Sequence, residues 1–213
     1  MNLAGSPSSS RSSVTATPSP IAASSGDNVS TITVTVRDAF GNAVSGALVS
    51  LSASGANNNL TPSGTTGSDG VMTGTLSSTG AGTKTITATV GGVTINDKPS
   101  VTVEPAAAAT LVFTVQPSRV VVGSAISPPV VVTAFDPFKN IATGLGDVTM
   151  TIADDGSFFG GATLGGTPTV AAVSGVATFS NLTIDSLGLL YTLRASSGGL
   201  EVTSQSFNVV TIL

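Results

Sequence analysis

The 213-residue sequence has no cysteine, no histidine, no tryptophan and only one tyrosine. Without cysteine the chain can form no disulfide, no thiolate zinc site and no thiol nucleophile. Without histidine it lacks the commonest general base and the commonest metal ligand. It also has no phosphate-binding loop of the P-loop type. We therefore expect no cofactor and no enzymatic activity.

Charge is scarce as well, because only 8% of the residues are charged and the net charge is −4. The seven Lys and Arg residues are scattered along the chain and form no stripe that could neutralise phosphates or anionic lipid. We therefore expect no nucleic-acid partner. No apolar run approaches the roughly 20 residues that span a bilayer, so we expect no membrane insertion.

The sequence does contain many short runs in which Thr or Ser alternates with Val, Ile or Leu. "TITVTV" at 31–36 has the period of a strand with one face in a core. No stretch carries an apolar stripe at helical spacing. The pattern predicts an all-β chain of antiparallel sandwiches, with an immunoglobulin-like architecture as the leading candidate. Further predicted strands lie at 47–53, 71–76, 83–90, 100–104, 110–117, 129–135, 147–153, 169–182, 190–196 and 206–212.

The two halves of the sequence repeat each other. "DAFGN" at 38–42 returns as "DPFKN" at 136–140, and the Gly-Val pair at 70–71 returns at 175–176. The two offsets, 98 and 105 residues, differ because the second copy has gained loop residues. A duplicated unit therefore predicts two tandem domains.

Domain boundaries follow from the composition between the repeats. We predict sandwiches over 14–104 and 110–213, joined by a linker at 105–109 that has no Gly/Ser tract and should be semi-rigid. Residues 1–13 are rich in Ser, Gly and Pro, which predicts an extended arm that is either flexible or docked on a partner.

Each repeated pentapeptide follows a predicted strand, where the chain must reverse. Asp and Asn accept backbone N–H bonds in turns, so we interpret both as structural corners. We expect the Phe of each corner, Phe40 and Phe138, to turn inward and close the end of its sandwich. The alternative is a calcium site, although one Asp and one Asn per corner are few for an ion that takes about six to eight oxygens. The ligands in that case are Asp38, Asn42, Asp136 and Asn140.

An insertion rich in Gly and Phe occupies 153–168 in the second half. Phe158 and Phe159 fall there between turn signals and need either burial or a partner. Burial of one of them at the end of the sandwich is the simpler interpretation. A contact surface for a partner is the alternative.

The stretch "TITVTVRDAFGNAVSGALVSLSASG", with "SDGVMTGTLSSTGAGTKTITATVGG" after it, resembles the bacterial Ig-like domains of the invasin and intimin type. The resemblance covers most of 14–104. The second half, through "LVFTVQPS" and "TVAAVSGVATFSNLTID", resembles related repeats of large bacterial surface proteins. It departs from the first copy at Pro137 and Lys139, which replace Ala39 and Gly41. This resemblance implies the fold, and function only loosely.

Several hypotheses of function remain. The first is a non-enzymatic structural component on the exterior of a bacterial virus, a capsid-decorating or fibre-like protein whose partners are capsid subunits. It rests on Met1 without an export signal and on the docking arm. The alternative is a stalk or spacer fragment of an invasin-like adhesin on the bacterial outer surface, with neighbouring surface subunits, a host receptor or a glycan as partners.

A carbohydrate-binding module is a third hypothesis, which the absence of Trp and the single Tyr191 disfavour. Open sheet edges also make a homo-oligomer conceivable for any of these proteins.

Overall fold

The computed structural model describes residues 5–211, and none of these residues is helical. They form 21 strands in two compact units that divide between Pro105 and Ala106. The predicted all-β class is therefore confirmed. Within the described residues, no helix is long and apolar enough to cross a membrane.

The first unit contains ten strands, and most of the longer ones coincide with the alternating runs. Their bounds are β1 Ser13–Thr17, β2 Ile21–Ala22, β3 Ser30–Thr35, β4 Leu48–Ala53, β5 Asn58–Leu60, β6 Ser63–Thr65, β7 Val71–Ser78, β8 Gly82–Val90, β9 Val93–Thr94 and β10 Ser100–Glu104. One sheet has the order β1-β3-β7-β5, and the other has β2-β10-β8-β4-β6 with β9 paired to β8. All neighbours are antiparallel except β2 and β10.

The core of the first unit is built from every second residue of its strands. Ile32 and Val34 on β3, together with Ile86 and Ala88 on β8, are completely buried. The Thr residues between them face outward or lie at the edge of the core, because successive side chains on a strand point to opposite faces. Removal of these apolar side chains from water is the main stabilising contribution.

The second unit contains eleven strands. Their bounds are β11 Thr110–Val115, β12 Val120–Val121, β13 Val130–Phe135, β14 Asp147–Asp154, β15 Leu164–Gly165, β16 Thr169–Ala171, β17 Val176–Phe179, β18 Thr183–Ile184, β19 Gly188–Ser197, β20 Leu200–Thr203 and β21 Phe207–Val210. The sheets are β11-β13-β17, β12-β21-β19-β14-β16 with β20 on β19, and the pair β15-β18. The parallel pair β12-β21 repeats the parallel pair β2-β10 of the first unit.

The core of the second unit lies between its two larger sheets. Phe179 of β17 and Tyr191 of β19 are its two largest fully buried side chains, and Tyr191 packs against Phe207 with 6.1 Å between ring centroids. Burial of these three rings supplies much of the apolar area that this unit removes from water.

The structure contains several strands that we do not predict, such as β1 and β20, and two of the predicted strands differ in detail. The run 169–182 is two strands, β16 and β17, because Ser174 and Gly175 between them have φ of 49° and 80°. Positive φ places these residues in a turn and ends a strand. The last predicted strand, 206–212, is β21, and its final residue lies outside the described residues.

Part of the segment that we predict as an arm is described, from Gly5 onward. Ser8 N–H donates to the carbonyl of Arg37 at 2.8 Å, and Pro7 forms an isolated bridge with Asp38. The described part of this segment is therefore hydrogen-bonded to the first unit.

The second unit repeats this arrangement at its own start. Ala109 N–H donates to the carbonyl of Phe135 at 2.8 Å, one residue before the second corner, just as Arg37 lies one residue before the first. We call residues 5–12 and 106–109 the lead-in segments. Each of them runs against the corner of its own unit.

Candidate functional site

Asp38 is the centre of the first corner, residues 38–42, and is almost completely buried. Its Oδ1 accepts the N–H groups of Phe40 and Asn42, both at 2.9 Å. Its Oδ2 accepts the side-chain amide of Asn42 at 3.0 Å and the N–H of Gly5 at 2.9 Å. Each carboxylate oxygen therefore satisfies two N–H donors.

Asp136 repeats this arrangement in the second corner, residues 136–140. Its Oδ1 accepts the N–H groups of Phe138 at 2.9 Å and Asn140 at 2.8 Å. Its Oδ2 accepts the Asn140 side-chain amide at 2.8 Å and the N–H of Ala106 at 3.0 Å. The two corners thus share the same set of four donors.

One donor in each set comes from far away in the sequence. Gly5 precedes Asp38 by 33 residues, and Ala106 precedes Asp136 by 30. Both donors belong to the lead-in segments, so each aspartate ties the start of its unit to the turn after the third strand of that unit, β3 or β13. We call this arrangement of Asp, Asn and lead-in N–H the aspartate clasp.

These hydrogen bonds favour the ionised form of both carboxyls. The N–H of Gly5, followed by the Asn42 side chain, outweighs the effect of burial and lowers the pKa of Asp38 to about 2. Burial raises the pKa of Asp136, but the bonds from Asn140, Ala106 and Phe138 together overcome it, so that this pKa is also lowered.

The same oxygens are the ones that the calcium alternative requires. Each already accepts two N–H donors, so an ion would have to displace bonds that hold the turn and the lead-in segment. Residues 5–211 contain no group of three or more His, Cys, Asp or Glu side chains that could hold a metal ion. Calcium binding at Asp38 and Asn42 or at Asp136 and Asn140 stays an alternative that a titration tests.

The phenylalanines of the two corners differ in burial. Phe40 is 89% exposed and Phe138 is half-buried. The inward orientation that we predict is wrong for Phe40, because its N–H points inward to Asp38 and its side chain remains on the outside of the turn.

Phe158 and Phe159 lie in the loop between β14 and β15. Phe158 is 62% exposed and Phe159 is fully exposed, so neither caps the sandwich by burial. They line an open groove of about 220 Å³ together with Ser157, Gly160, Ser186 and Leu187.

This loop is held in place by hydrogen bonds to residues 187–189, where β19 begins. Phe158 N–H donates to the carbonyl of Leu187 at 3.3 Å, and Leu189 N–H donates to that of Gly156 at 3.0 Å. Gly156 and Gly188 face each other so closely that a Cβ on either one would overlap the opposite backbone. The pair of glycines therefore allows the two segments to pack directly.

Three leucines on the second segment, Leu187, Leu189 and Leu190, are also exposed. The sequence pattern predicts a strand from residue 190 and gives no reason to single out these leucines. The one signal in the sequence is that three leucines flank Gly188, which is an unusually apolar composition for a loop. We call the exposed apolar side chains of these two segments the apolar loop surface; its members are Phe158, Phe159, Leu187, Leu189 and Leu190.

Three carboxylates lie beside these two segments in the sequence. Asp154, Asp155 and Asp185 are exposed, and residues 154–163 and 185–190 contain no Lys or Arg. Hydrogen bonding by Ser157, and by the backbone of Ala162 and Gly161, lowers the pKa of Asp155.

The Thr163 side chain and N–H, with the Ser186 hydroxyl, lower the pKa of Asp185. Both groups are therefore ionised at neutral pH, and the surface carries negative charge.

Solved structures with the same fold come from bacterial surface proteins. InvD of Yersinia pseudotuberculosis is 22% identical, with a TM-score of 0.57 over 95% of this chain and 58% of that one. The adhesin FdeC of Escherichia coli is 22% identical, with a TM-score of 0.53 over 99% of this chain and 67% of that one. Invasin, a bacterial integrin-binding protein, is 18% identical, with a TM-score of 0.53 over 92% of this chain and 40% of that one.

At these identities the similarity establishes the fold, which is Ig-like in both units. The chain spans about six tenths of the length of InvD and less of invasin. No curated protein matches it. Residues 11–104, which lie within the first unit, match the family model of the bacterial Ig-like domain, group 1.

Proposed function

We propose that this chain is a non-enzymatic spacer module of a bacterial surface adhesin, displayed on the outside of the cell. The observation that carries the proposal is the family match of the first unit, together with the fold that both units share with adhesin structures. Sandwiches of this kind bury their own cores and expose few flexible loops, which suits a module held outside a cell.

The aspartate clasp of the second unit begins close in sequence to the last strand of the first unit. Glu104 is the last residue of β10 and is paired with Ala22 of the first unit. Ala106 is held by Asp136 of the second unit at 3.0 Å. Pro105 is therefore the one residue between two anchored positions, and a proline has a fixed φ. The linker that we predict to be semi-rigid begins at this residue, and small-angle scattering of the full chain tests that prediction.

The virion hypothesis gains no support from these comparisons. A virion component with the same fold would be made inside the cell and released by lysis, whereas an adhesin module is carried to the outer surface while the cell is intact. The place where the protein is found therefore separates the two hypotheses.

Immunogold labelling of the native bacterium with antibody raised against the purified chain tests the proposal. We expect gold particles on the surface of intact cells. Cells in which the coding sequence has been deleted serve as the control and should carry none. Label that is confined to virus particles released by lysis would contradict the adhesin role and favour the virion hypothesis.

A further inference from the structure

The second unit leaves five large apolar side chains, the apolar loop surface, exposed on two segments that are bonded to each other. In the described part of the first unit the comparable side chains are Val29, Phe40 and Leu48, which lie in three separate parts of the sequence. Isolated exposed apolar residues are normal, whereas a contiguous set indicates an interaction site. The second unit therefore gathers exposed apolar side chains on two bonded segments, whereas those described in the first unit are scattered along the sequence.

The apolar loop surface is preformed. Asp155 accepts the N–H groups of Ser157, Gly161 and Ala162, which fixes the loop that carries the two phenylalanines. The glycine pair at 156 and 188 allows this loop to pack directly against the segment that carries Leu187, Leu189 and Leu190. A surface that is already ordered loses less conformational entropy when a partner binds.

Leu190 adds a sign of functional constraint. Its φ is 61°, in the left-handed region that bulky side chains avoid, and its N–H is held by the side chain of Asn208 at 3.0 Å. Strained residues of this kind persist where the surrounding structure imposes them, and they cluster at binding sites. The side chain of the strained Leu190 is exposed to solvent.

Charge and size decide which occupant fits. Asp154, Asp155 and Asp185 would face the same three carboxylates on a second copy of this chain, and they would repel an anionic lipid surface. Five side chains are far fewer than the roughly 20 residues that each side of a standard protein interface contributes. A short segment with positive charge is therefore the complementary partner.

We propose that the apolar loop surface binds a short, basic and apolar segment of a partner protein. An apolar side chain of that segment enters the groove between Phe158, Phe159 and Leu187, and its Lys or Arg residues face the three aspartates. The proposal concerns the partner of the second unit and holds whichever surface displays the chain.

Binding of labelled synthetic peptides to the full chain, followed by fluorescence anisotropy, tests this proposal. The probe is a peptide with Leu and Phe flanked by Lys; one comparison peptide has Glu in place of Lys, and another has Ser in place of Leu and Phe. We expect the basic apolar peptide to bind at least about tenfold more tightly than either comparison peptide, and less tightly as salt is raised.

Variants of the chain assign the binding to its surface. Phe158→Ser combined with Phe159→Ser should weaken binding at least about tenfold, because anchor residues supply most of the binding energy. Asp154→Lys should weaken binding of the basic peptide and improve that of the acidic one. Phe40→Ser, at an exposed aromatic residue of the first unit, is the matched control and should bind as the natural chain does.

The fluorescence of Tyr191 checks folding in the same samples, since it is the only tyrosine and is buried in the second unit. Its thermal transition should be the same in all variants. Three results would overturn the proposal. These are equal binding of the basic and acidic peptides, no binding of the basic peptide, and binding that survives loss of both phenylalanines. Phenylalanine-dependent binding to phosphatidylcholine vesicles, or phenylalanine-dependent dimerisation in sedimentation, would overturn it as well.

Discussion

The first and second units differ most where β4 and β14 end. After β4 the chain reads Ser-Gly-Ala-Asn and enters β5 at once, whereas after β14 a nine-residue loop carries Phe158 and Phe159 before β15 begins at Leu164. The corners, by contrast, are the same in both units down to the donors of each carboxylate oxygen. The corner is therefore a requirement of the fold, whereas the loops are free to differ between the units.

A smaller difference lies at one equivalent position of β8 and β19. Lys84 lies four residues before Ala88, which pairs with β4. Tyr191 lies four residues before Ala195, which pairs with β14. Both are buried, yet Lys84 donates from Nζ to the carbonyl of Ala56 at 3.1 Å, and Tyr191 donates from its hydroxyl to that of Ser186 at 3.0 Å. The side chain at this position therefore holds the loop after β4 in the first unit and the segment before β19 in the second unit.

The largest effect that we expect comes from loss of the second clasp. Asp136→Ala leaves four N–H groups without their acceptor, and buried donors without partners destabilise a protein by about 1–3 kcal/mol each when water does not replace the bond. We expect a loss of about 3 kcal/mol in the free energy of unfolding of the second unit. Urea unfolding followed by tyrosine fluorescence measures it, because Tyr191 reports on this unit alone.

Asp38→Ala is the companion variant in the first unit. It should lower the stability seen by far-ultraviolet circular dichroism and leave the tyrosine transition unchanged. Asp147→Ala, at an exposed aspartate at the start of β14, is the control and should change neither signal. Equal tyrosine transitions for Asp136→Ala and Asp147→Ala would show that the clasp does not stabilise the second unit.

Acid should weaken both clasps. The pKa of Asp38 in the folded chain, about 2, lies below its ordinary value of 3.8, so the unfolded state binds more protons in this range. The stabilisation is complete above about pH 4 and is lost as the pH falls through the folded pKa. Asp136, whose pKa is also lowered, acts in the same direction.

Urea midpoints measured between about pH 5 and pH 2 should therefore fall with pH. In Asp38→Asn the first unit should show a shallower fall than in the natural chain. If the urea midpoint of that variant falls with pH as steeply as in the natural chain, the clasp is not the cause of the pH dependence.

The fourth position of the two corners allows a reciprocal exchange. Gly41 has a φ of 88° and Lys139 has a φ of 72°, so the turn is left-handed in both units but only the first has the residue suited to it. Lys139→Gly should stabilise the second unit by about 0.5–1 kcal/mol, since a left-handed L-residue costs about 1–2 kcal/mol and the entropy of glycine offsets part of the gain.

Gly41→Lys should destabilise the first unit by about 1 kcal/mol for the same reason. Both changes are measured by urea unfolding with the two optical signals described above. A loss of stability in Lys139→Gly would mean that the lysine side chain contributes more to the second corner than its backbone strain removes.

Calcium should have no effect on the melting temperature, and this is the smallest effect that we expect. All four carboxylate oxygens of Asp38 and Asp136 already accept N–H donors, so we expect the melting temperature to stay constant when calcium is added. Differential scanning calorimetry with calcium and with a chelator measures this. A rise in melting temperature that Asn42→Ala or Asn140→Ala removes would favour the metal site over the clasp.

Sequence patterns predict the long strands well because core burial imposes alternation on them. The run 31–36 becomes β3 at Ser30–Thr35, and 83–90 becomes β8 at Gly82–Val90. Strands of two or three residues, such as β2 and β12, are too short to show a period. They are held by pairing with distant strands, which no local pattern encodes.

The corner is predictable only in part, for the same reason. The bonds from Asn42 to Asp38 span four residues and follow from turn chemistry. The bond from Gly5 joins residues 33 apart, and any residue other than proline could supply that N–H. The exposure of Leu190 is not predictable either, because its positive φ and the bond from its N–H to distant Asn208 interrupt the alternation of β19.

Residue-resolved hydrogen exchange by NMR tests most directly the claim that the repeated Asp and Asn residues form a structural clasp. At neutral pH the amides of Gly5 and Ala106 should exchange as slowly as amides within the strands, and Asp38→Ala and Asp136→Ala should each release the amide of their own unit alone. Exchange of both amides at the rate of an unstructured peptide in the natural chain would contradict the account.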